Sequence, residues 1–168
     1  GGRELSALRR DLGILAARAE AEDLSARAEV ARTRQERNRR LLEAVEGWNA
    51  EALRQKPDDR KNQDLAARMA ELPADAVETA AEQLRQDYDI LAAIPKTLQR
   101  LADDAELEPL AKLAETMQEP ARQMEEAAAA LAEATPESRS LEPASAPANA
   151  LAQGAKQARD ALARDMQD

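Results

Sequence analysis

The sequence predicts an all-α protein, an elongated antiparallel helical bundle or coiled coil with one very long N-terminal helix and proline-kinked later helices. Composition is the first reason, because Ala, Glu, Lys, Leu and Arg make up 105 of the 168 residues, a proportion typical of long helices. Periodicity is the second reason. Apolar residues recur at spacings of three and four, or every seven residues, as the contact line between two helices requires.

The first predicted helix covers residues 4–55, which at 1.5 Å per residue would span roughly 75 Å. It carries two apolar patterns in succession. The first has a three-four spacing, and the second, after a phase slip, repeats every seven residues. The first pattern consists of Leu5, Leu8, Leu12, Leu15 and Ala19, and the second of Leu24, Ala31, Asn38, Val45 and Ala52. The segment Lys56-Pro57-Asp58-Asp59 is predicted to end this helix.

Four further helices are predicted over residues 64–72, 74–94, 95–106 and 109–134. A seven-residue period from Val77 to Ala105 continues through Pro95. A proline within a continuing register predicts a kink, or two helices end to end, rather than a chain reversal. Pro109 is predicted to open the last of these helices, and Pro120 to kink it.

Residues 1–134 therefore form the predicted bundle. Residues 135–149 contain three prolines and several Ser and Ala without a helical period, and are predicted to be a linker. A C-terminal helix is predicted over residues 150–168, with Asn149 as its cap.

The composition argues against most catalytic chemistry. The chain has no His and no Cys, so imidazole bases, thiolate nucleophiles and the common zinc sites are excluded. The five glycines form no phosphate-binding loop, and neighbouring carboxylates lack the histidines that bundle metal sites normally add. We therefore expect no catalytic, cofactor-binding or metal-binding residues, and no cofactor.

No run of 18 apolar residues occurs, so no transmembrane segment is expected in this chain. Binding to a membrane surface is disfavoured as well, because the apolar stripes are rich in Ala and the chain carries a net charge of −9. The chain begins Gly1-Gly2 without an initiator Met. This start predicts a fragment of a larger protein.

A basic cluster interrupts the apolar pattern of the first helix. It consists of Arg32, Arg34, Arg37, Arg39 and Arg40. At 100° per residue these side chains surround the helix, whereas nucleic-acid binding favours basic residues on one face with aromatic residues nearby. Local pairing with carboxylates or water is therefore favoured, an acidic protein partner is the alternative, and no nucleic-acid partner is expected.

Asn38 occupies a position where the helix contact should be apolar. It is either a buried polar residue that fixes helix register, or part of a stretch that lies outside the core. The surrounding arginines favour the second interpretation. Trp48 and Tyr88, the two aromatic residues of the chain, fall at predicted packing positions, and an exposed Trp48 would be a strong interface anchor.

The sequence thus predicts a non-enzymatic helical scaffold, spacer or protein-interaction module whose partner is a second copy, as in a homodimer, or another helical segment. The candidate interaction and packing residues are Leu5, Leu12, Asn38, Val45, Trp48, Leu84, Tyr88, Leu91 and Leu98. The alternative is an extracytoplasmic helical bundle that binds a small or lipidic ligand. Helix kinks at Pro95, Pro109 and Pro120 would open the gaps that such a ligand needs.

Overall fold

The computed structural model describes residues 1–55, 60–73, 75–133 and 144–165, and the regular elements in these ranges are α-helices. They are α1 (Gly2–Gln55), α2 (Arg60–Ala70), α3 (Ala76–Ala92), α4 (Ile94–Ala105), α5 (Glu108–Thr116), α6 (Gln118–Glu133) and α7 (Ser145–Asp165). The predicted all-α bundle with a very long first helix is confirmed. At 54 residues, α1 is about 80 Å long.

Helices α3 and α4 run end to end and antiparallel to α1. The amide of Asn38 donates a hydrogen bond to Gln83 Oε1 at 3.2 Å, and Glu20 pairs with Arg100 further along. Later residues of α3 and α4 therefore contact earlier residues of α1, as they do in an antiparallel pair of helices. Helices α5 and α6 return along α4 and α3, and α7 packs against α1, α5 and α6. The short α2 contacts α1.

Pro95, Pro109 and Pro120 lie at the beginnings of helices. Between α3 and α4 the chain bends at Ala93, whose dihedral angles of −79° and −10° are still helical. Pro95 then lies in the first turn of α4, where its missing N–H has no intrahelical partner to lose. Of the two predicted alternatives, the structure thus has two helices end to end, and Pro109 likewise lies in the first turn of α5.

The predicted single helix over residues 109–134 is divided at Met117, where φ is −94° and ψ is 0°. The cause is Pro120, which cannot donate to the carbonyl four residues earlier and whose ring crowds that carbonyl. The chain therefore breaks before the proline, and Pro120 lies in the first turn of α6.

Glu106 reverses the chain between α4 and α5. Its φ of 55° and ψ of 45° are left-handed, a conformation that usually falls to glycine. The N–H of Leu107 then donates to the carbonyl of Ala102 at 2.9 Å. This bond satisfies a carbonyl at the helix end, and α5 packs back on α4.

Helix α7 begins at Ser145 rather than at residue 150, so the predicted cap Asn149 lies inside the helix. The reason is that Pro147 occupies the first turn, where proline is tolerated, although its presence suggested a linker. Residues 135–143 of the predicted linker lie outside the described residues. So do the predicted turn at residues 56–59, residues 74 and 134, and residues 166–168.

The core combines leucines from the later helices with alanines from α1. Leu84, Tyr88, Leu91 and Leu98 are fully or almost fully buried. On α1 the buried residues that face them are mostly small, and they include Ala17, Ala21, Ala28 and Ala31. Small side chains allow helix axes to approach closely. The middle part of α1 therefore packs closely against the neighbouring helices.

Candidate interaction surface

Helix α1 has two apolar faces, and the bundle covers one of them. The buried face consists of Ala17, Ala21, Leu24, Ala28, Ala31, Gln35, Asn38 and Leu42. The other face carries the four residues that we call the leucine stripe, Leu5, Leu8, Leu12 and Leu15. Each of them is between 47% and 60% exposed.

The two faces point in nearly opposite directions. At 100° per residue, the mean direction of the leucine stripe lies about 150° from that of the buried face. The phase slip in the sequence is therefore a change of side. The buried face of α1 packs in the bundle, and the leucine stripe points away from it.

The N-terminal end of α1 extends past the well-packed region. Residues 1–12 are all exposed, and full burial begins at Ala17. The leucine stripe thus lies on a part of α1 that makes few contacts with the bundle. Four large apolar side chains in one row are more than the scattered exposed residues that a monomer surface normally carries.

The other candidate residues lie elsewhere. Leu84, Tyr88, Leu91 and Leu98 are buried within the bundle, and Val45 is partly buried. They support the fold and are not available to a partner. The side chain of Trp48 lies outside the described residues.

Three residues of the basic cluster pair with carboxylates of the same helix. Arg32 pairs with Glu29, Arg39 with Glu36 and Glu43, and Arg40 with Glu36, all on α1. Hydrogen bonds from Arg39 are the main cause that lowers the pKa of Glu36. Arg37 is exposed and makes no ion pair within the described ranges. Little unpaired positive charge therefore remains here for an acidic partner.

Arg34 differs from the other arginines of the cluster because it reaches another helix. Its guanidinium donates two hydrogen bonds to Asp87 of α3, at 2.8 Å from Nε and 2.6 Å from Nη2. The Asp87 side chain is completely buried, whereas that of Arg34 is 31% exposed. The basic cluster therefore contributes one inter-helix ion pair to the bundle.

Asn38 corrects the favoured interpretation, since it is buried rather than outside the core. The absence of apolar neighbours before Asn38 was misleading, because Gln35, one turn earlier on the buried face, is polar and buried as well. Asn38 reaches Gln83, one turn of α3 away from Asp87. A polar layer thus crosses the interface between α1 and α3.

Three more polar atoms are buried in the bundle without a hydrogen-bond partner among the described residues. They are Gln35 Oε1, the Tyr88 hydroxyl oxygen and Ser145 Oγ. Burial raises the pKa of Tyr88 to about 12, because the tyrosinate would lose its water. The sequence did not predict that Gln35 and Asp87 are buried. Both are polar residues at core positions, and a pattern of apolar residues does not mark them.

A small apolar groove lies farther along the outer side of α1. It has a volume of about 270 Å³ and runs between α1 and α3, where Val30 and Ile90 line it. Both side chains are exposed. Val30 falls on the same side of α1 as the leucine stripe, within about 20° of its mean direction.

Another groove, of about 580 Å³, lies between α1 and α7. Its lining is mainly polar or charged and includes Glu22, Glu29, Arg32, Lys156 and Arg159. Side chains of both signs line it, so it carries no strong field of one sign to draw in a charged ligand.

Within the described ranges, none of the helices combines the length and apolarity that crossing a bilayer requires. No known protein family matches the sequence, and comparisons with curated proteins and with solved structures found no match either. The case for a function therefore rests on the geometry of α1 and the bundle around it.

Proposed function

We propose that this chain is a non-enzymatic protein-interaction module, in which the bundle holds the N-terminal part of α1 as a docking helix. The exposed leucine stripe carries the proposal. A partner helix of matching pattern would cover it by the same packing that operates inside the bundle.

The division of α1 into two faces supports a role in docking rather than in folding. Removing the leucine stripe would take almost nothing from the core, because the bundle contacts the other side of the helix. Exposed apolar residues that do not support the fold lower the solubility of a protein. A partner that covers the leucine stripe would explain why these residues are present.

The alternative, a bundle that binds a small or lipidic ligand, has less support. The groove between α1 and α7 is lined largely by charged side chains, whereas ligand sites are mostly apolar with a few polar groups. At the helix junctions beside Pro95 and Pro120, the side chains of Ile94 and Met117 are buried.

Site-specific photo-crosslinking tests the docking role. A photoreactive amino acid replaces Leu8 in the full-length protein, expressed in the cells that naturally make it. The matched control places the same group at Arg10, which is also exposed but lies on the opposite side of α1. We expect a protein adduct from position 8 and much less from position 10. Equal yields at the two positions, or none at either, would refute the proposal.

A further inference from the structure

We infer that the partner of the leucine stripe is a second copy of this chain, docked parallel and in register. The inference rests on the proposed docking role of α1 and adds to it the identity and orientation of the partner. Three features of the helix carry it: the leucine spacing, the charges beside the stripe, and the position of the bundle.

The spacing of the leucine stripe is that of a two-stranded coiled coil. Leu5 and Leu12 are seven residues apart, and Leu8 and Leu15 repeat the interval three residues later. These are the alternating contact positions at which two helices interlock side chains. Ala19 is exposed and continues the row, so the contact line is about 21 Å long.

The flanking charges fit a parallel pair. In a parallel coiled coil, the residue before one contact leucine faces the residue five positions later on the other helix. Glu4 would then face the partner's Arg9, and by symmetry Arg9 would face the partner's Glu4. Asp11 would face the partner's Ala16. The parallel arrangement thus makes two attractive pairs and, along the leucine stripe, no repulsive one.

The antiparallel arrangement fits the same charges poorly. There, with the four leucines in full overlap, flanking residues near the middle of the stripe face their own copies, whereas Glu4 at its end faces the partner's Arg18. Arg9 would lie opposite the partner's Arg9, and Asp11 opposite the partner's Asp11. Like charges facing each other across a short interface disfavour that orientation.

The bundle leaves room for a parallel pair. The residues of α1 that α3, α4 and α7 bury lie, on average, on the side away from the leucine stripe. Two copies docked through their stripes would therefore carry their bundles on the outside. Because the contact covers little more than two heptads, the dimer should be weak, with a dissociation constant of about 1–100 µM.

Sedimentation equilibrium between about 1 µM and 1 mM measures the association directly. We expect a reversible monomer–dimer equilibrium that replacement of the four stripe leucines by Gln weakens by at least about 100-fold. That variant should melt at the temperature of the parent chain, because its changes lie outside the core. Glu4→Arg should weaken the dimer by about three- to tenfold, and Glu4→Arg combined with Arg9→Glu should restore it.

Orientation is tested by disulfide formation, which is clean because the chain has no Cys. Leu5→Cys and Leu15→Cys proteins are mixed and oxidised, with Arg10→Cys as the control. A parallel dimer gives 5–5 and 15–15 products, whereas mixed 5–15 products would show antiparallel docking and overturn the inference. A chain that stays monomeric throughout the range would overturn it too. If crosslinking at Leu8 then captures a different protein, the docking role stands and only self-association fails.

Discussion

Asp87 on α3 has no solvent exposure, and both of its carboxylate oxygens accept hydrogen bonds from the guanidinium of Arg34 on α1. One turn along the same interface, Asn38 donates to Gln83. A shift of α1 by one turn would separate both pairs and leave a charged group buried without a partner. This polar layer therefore favours one register between α1 and α3.

Removal of Arg34 should destabilise the bundle strongly. We expect Arg34→Ala to lower the free energy of unfolding by about 2–4 kcal/mol, because it leaves the Asp87 carboxylate buried and unpaired. Urea unfolding followed by circular dichroism measures this change. The double variant Arg34→Met with Asp87→Leu should recover most of the loss, since an apolar pair carries no desolvation penalty.

The control for this prediction is Arg32→Ala. Arg32 pairs with Glu29 on the same exposed helix surface, and such pairs contribute about 0.5 kcal/mol or less. Similar losses from Arg32→Ala and Arg34→Ala would contradict the role given to the inter-helix pair.

High pH should destabilise the protein through Tyr88. Its pKa is about 10 in the unfolded chain and about 12 in the folded one. The folded state therefore holds the phenolic proton more tightly, so this stabilisation is complete below pH 10 and lost as pH rises through 12. At most about 2–3 kcal/mol is involved. Since Tyr88 is the one tyrosine, the ultraviolet absorbance of tyrosinate follows it directly, and a midpoint near 10 in the folded protein would contradict its burial.

Removal of the Tyr88 hydroxyl should cost little. The hydroxyl is buried without a described partner, so Tyr88→Phe removes an uncompensated polar group. We expect the free energy of unfolding to stay constant or rise by about 1 kcal/mol, whereas Tyr88→Leu, which also loses ring packing, should lower it. A clear loss in Tyr88→Phe would mean that the hydroxyl bonds to a buried water or another group.

Periodicity was enough to predict the helices because large apolar residues recur at a regular interval among the buried positions of α3 and α4. Leu84, Leu91 and Leu98 are the examples, and all three are buried. The positions of the prolines predicted the boundary between α3 and α4 and the start of α5, because proline is tolerated in the first turn of a helix. The reversal at Glu106 was missed because its left-handed conformation is imposed by the packing of α5 on α4, and no glycine marks it.

The polar layer between α1 and α3 could not be predicted from a pattern of apolar residues. Asp87 and Gln35 interrupt that pattern, and the stabilising partner of Asp87 lies 53 positions away in the sequence. The leucine stripe was visible as a row, but its exposure was not. Exposure depends on which side of α1 the bundle covers, and two apolar faces on one helix leave that choice to tertiary packing.

Two glycines on different helices should respond oppositely to alanine. A Cβ added at Gly154 of α7 would overlap Met117 Sδ, and the side chain of Met117 is itself buried in the core. Although Ala favours the helix by about 1 kcal/mol, the clash should outweigh this gain and lower the free energy of unfolding by about 1–2 kcal/mol. At Gly13 of α1, the nearest atom to the new Cβ is the carbonyl oxygen of Asp104 at 3.7 Å, an ordinary contact. Gly13→Ala should therefore stabilise the protein by about 0.5–1 kcal/mol. Parallel urea titrations of both variants decide the matter. Equal gains in the two would show that α7 packs less closely on the α5–α6 junction than the contact between Gly154 and Met117 requires.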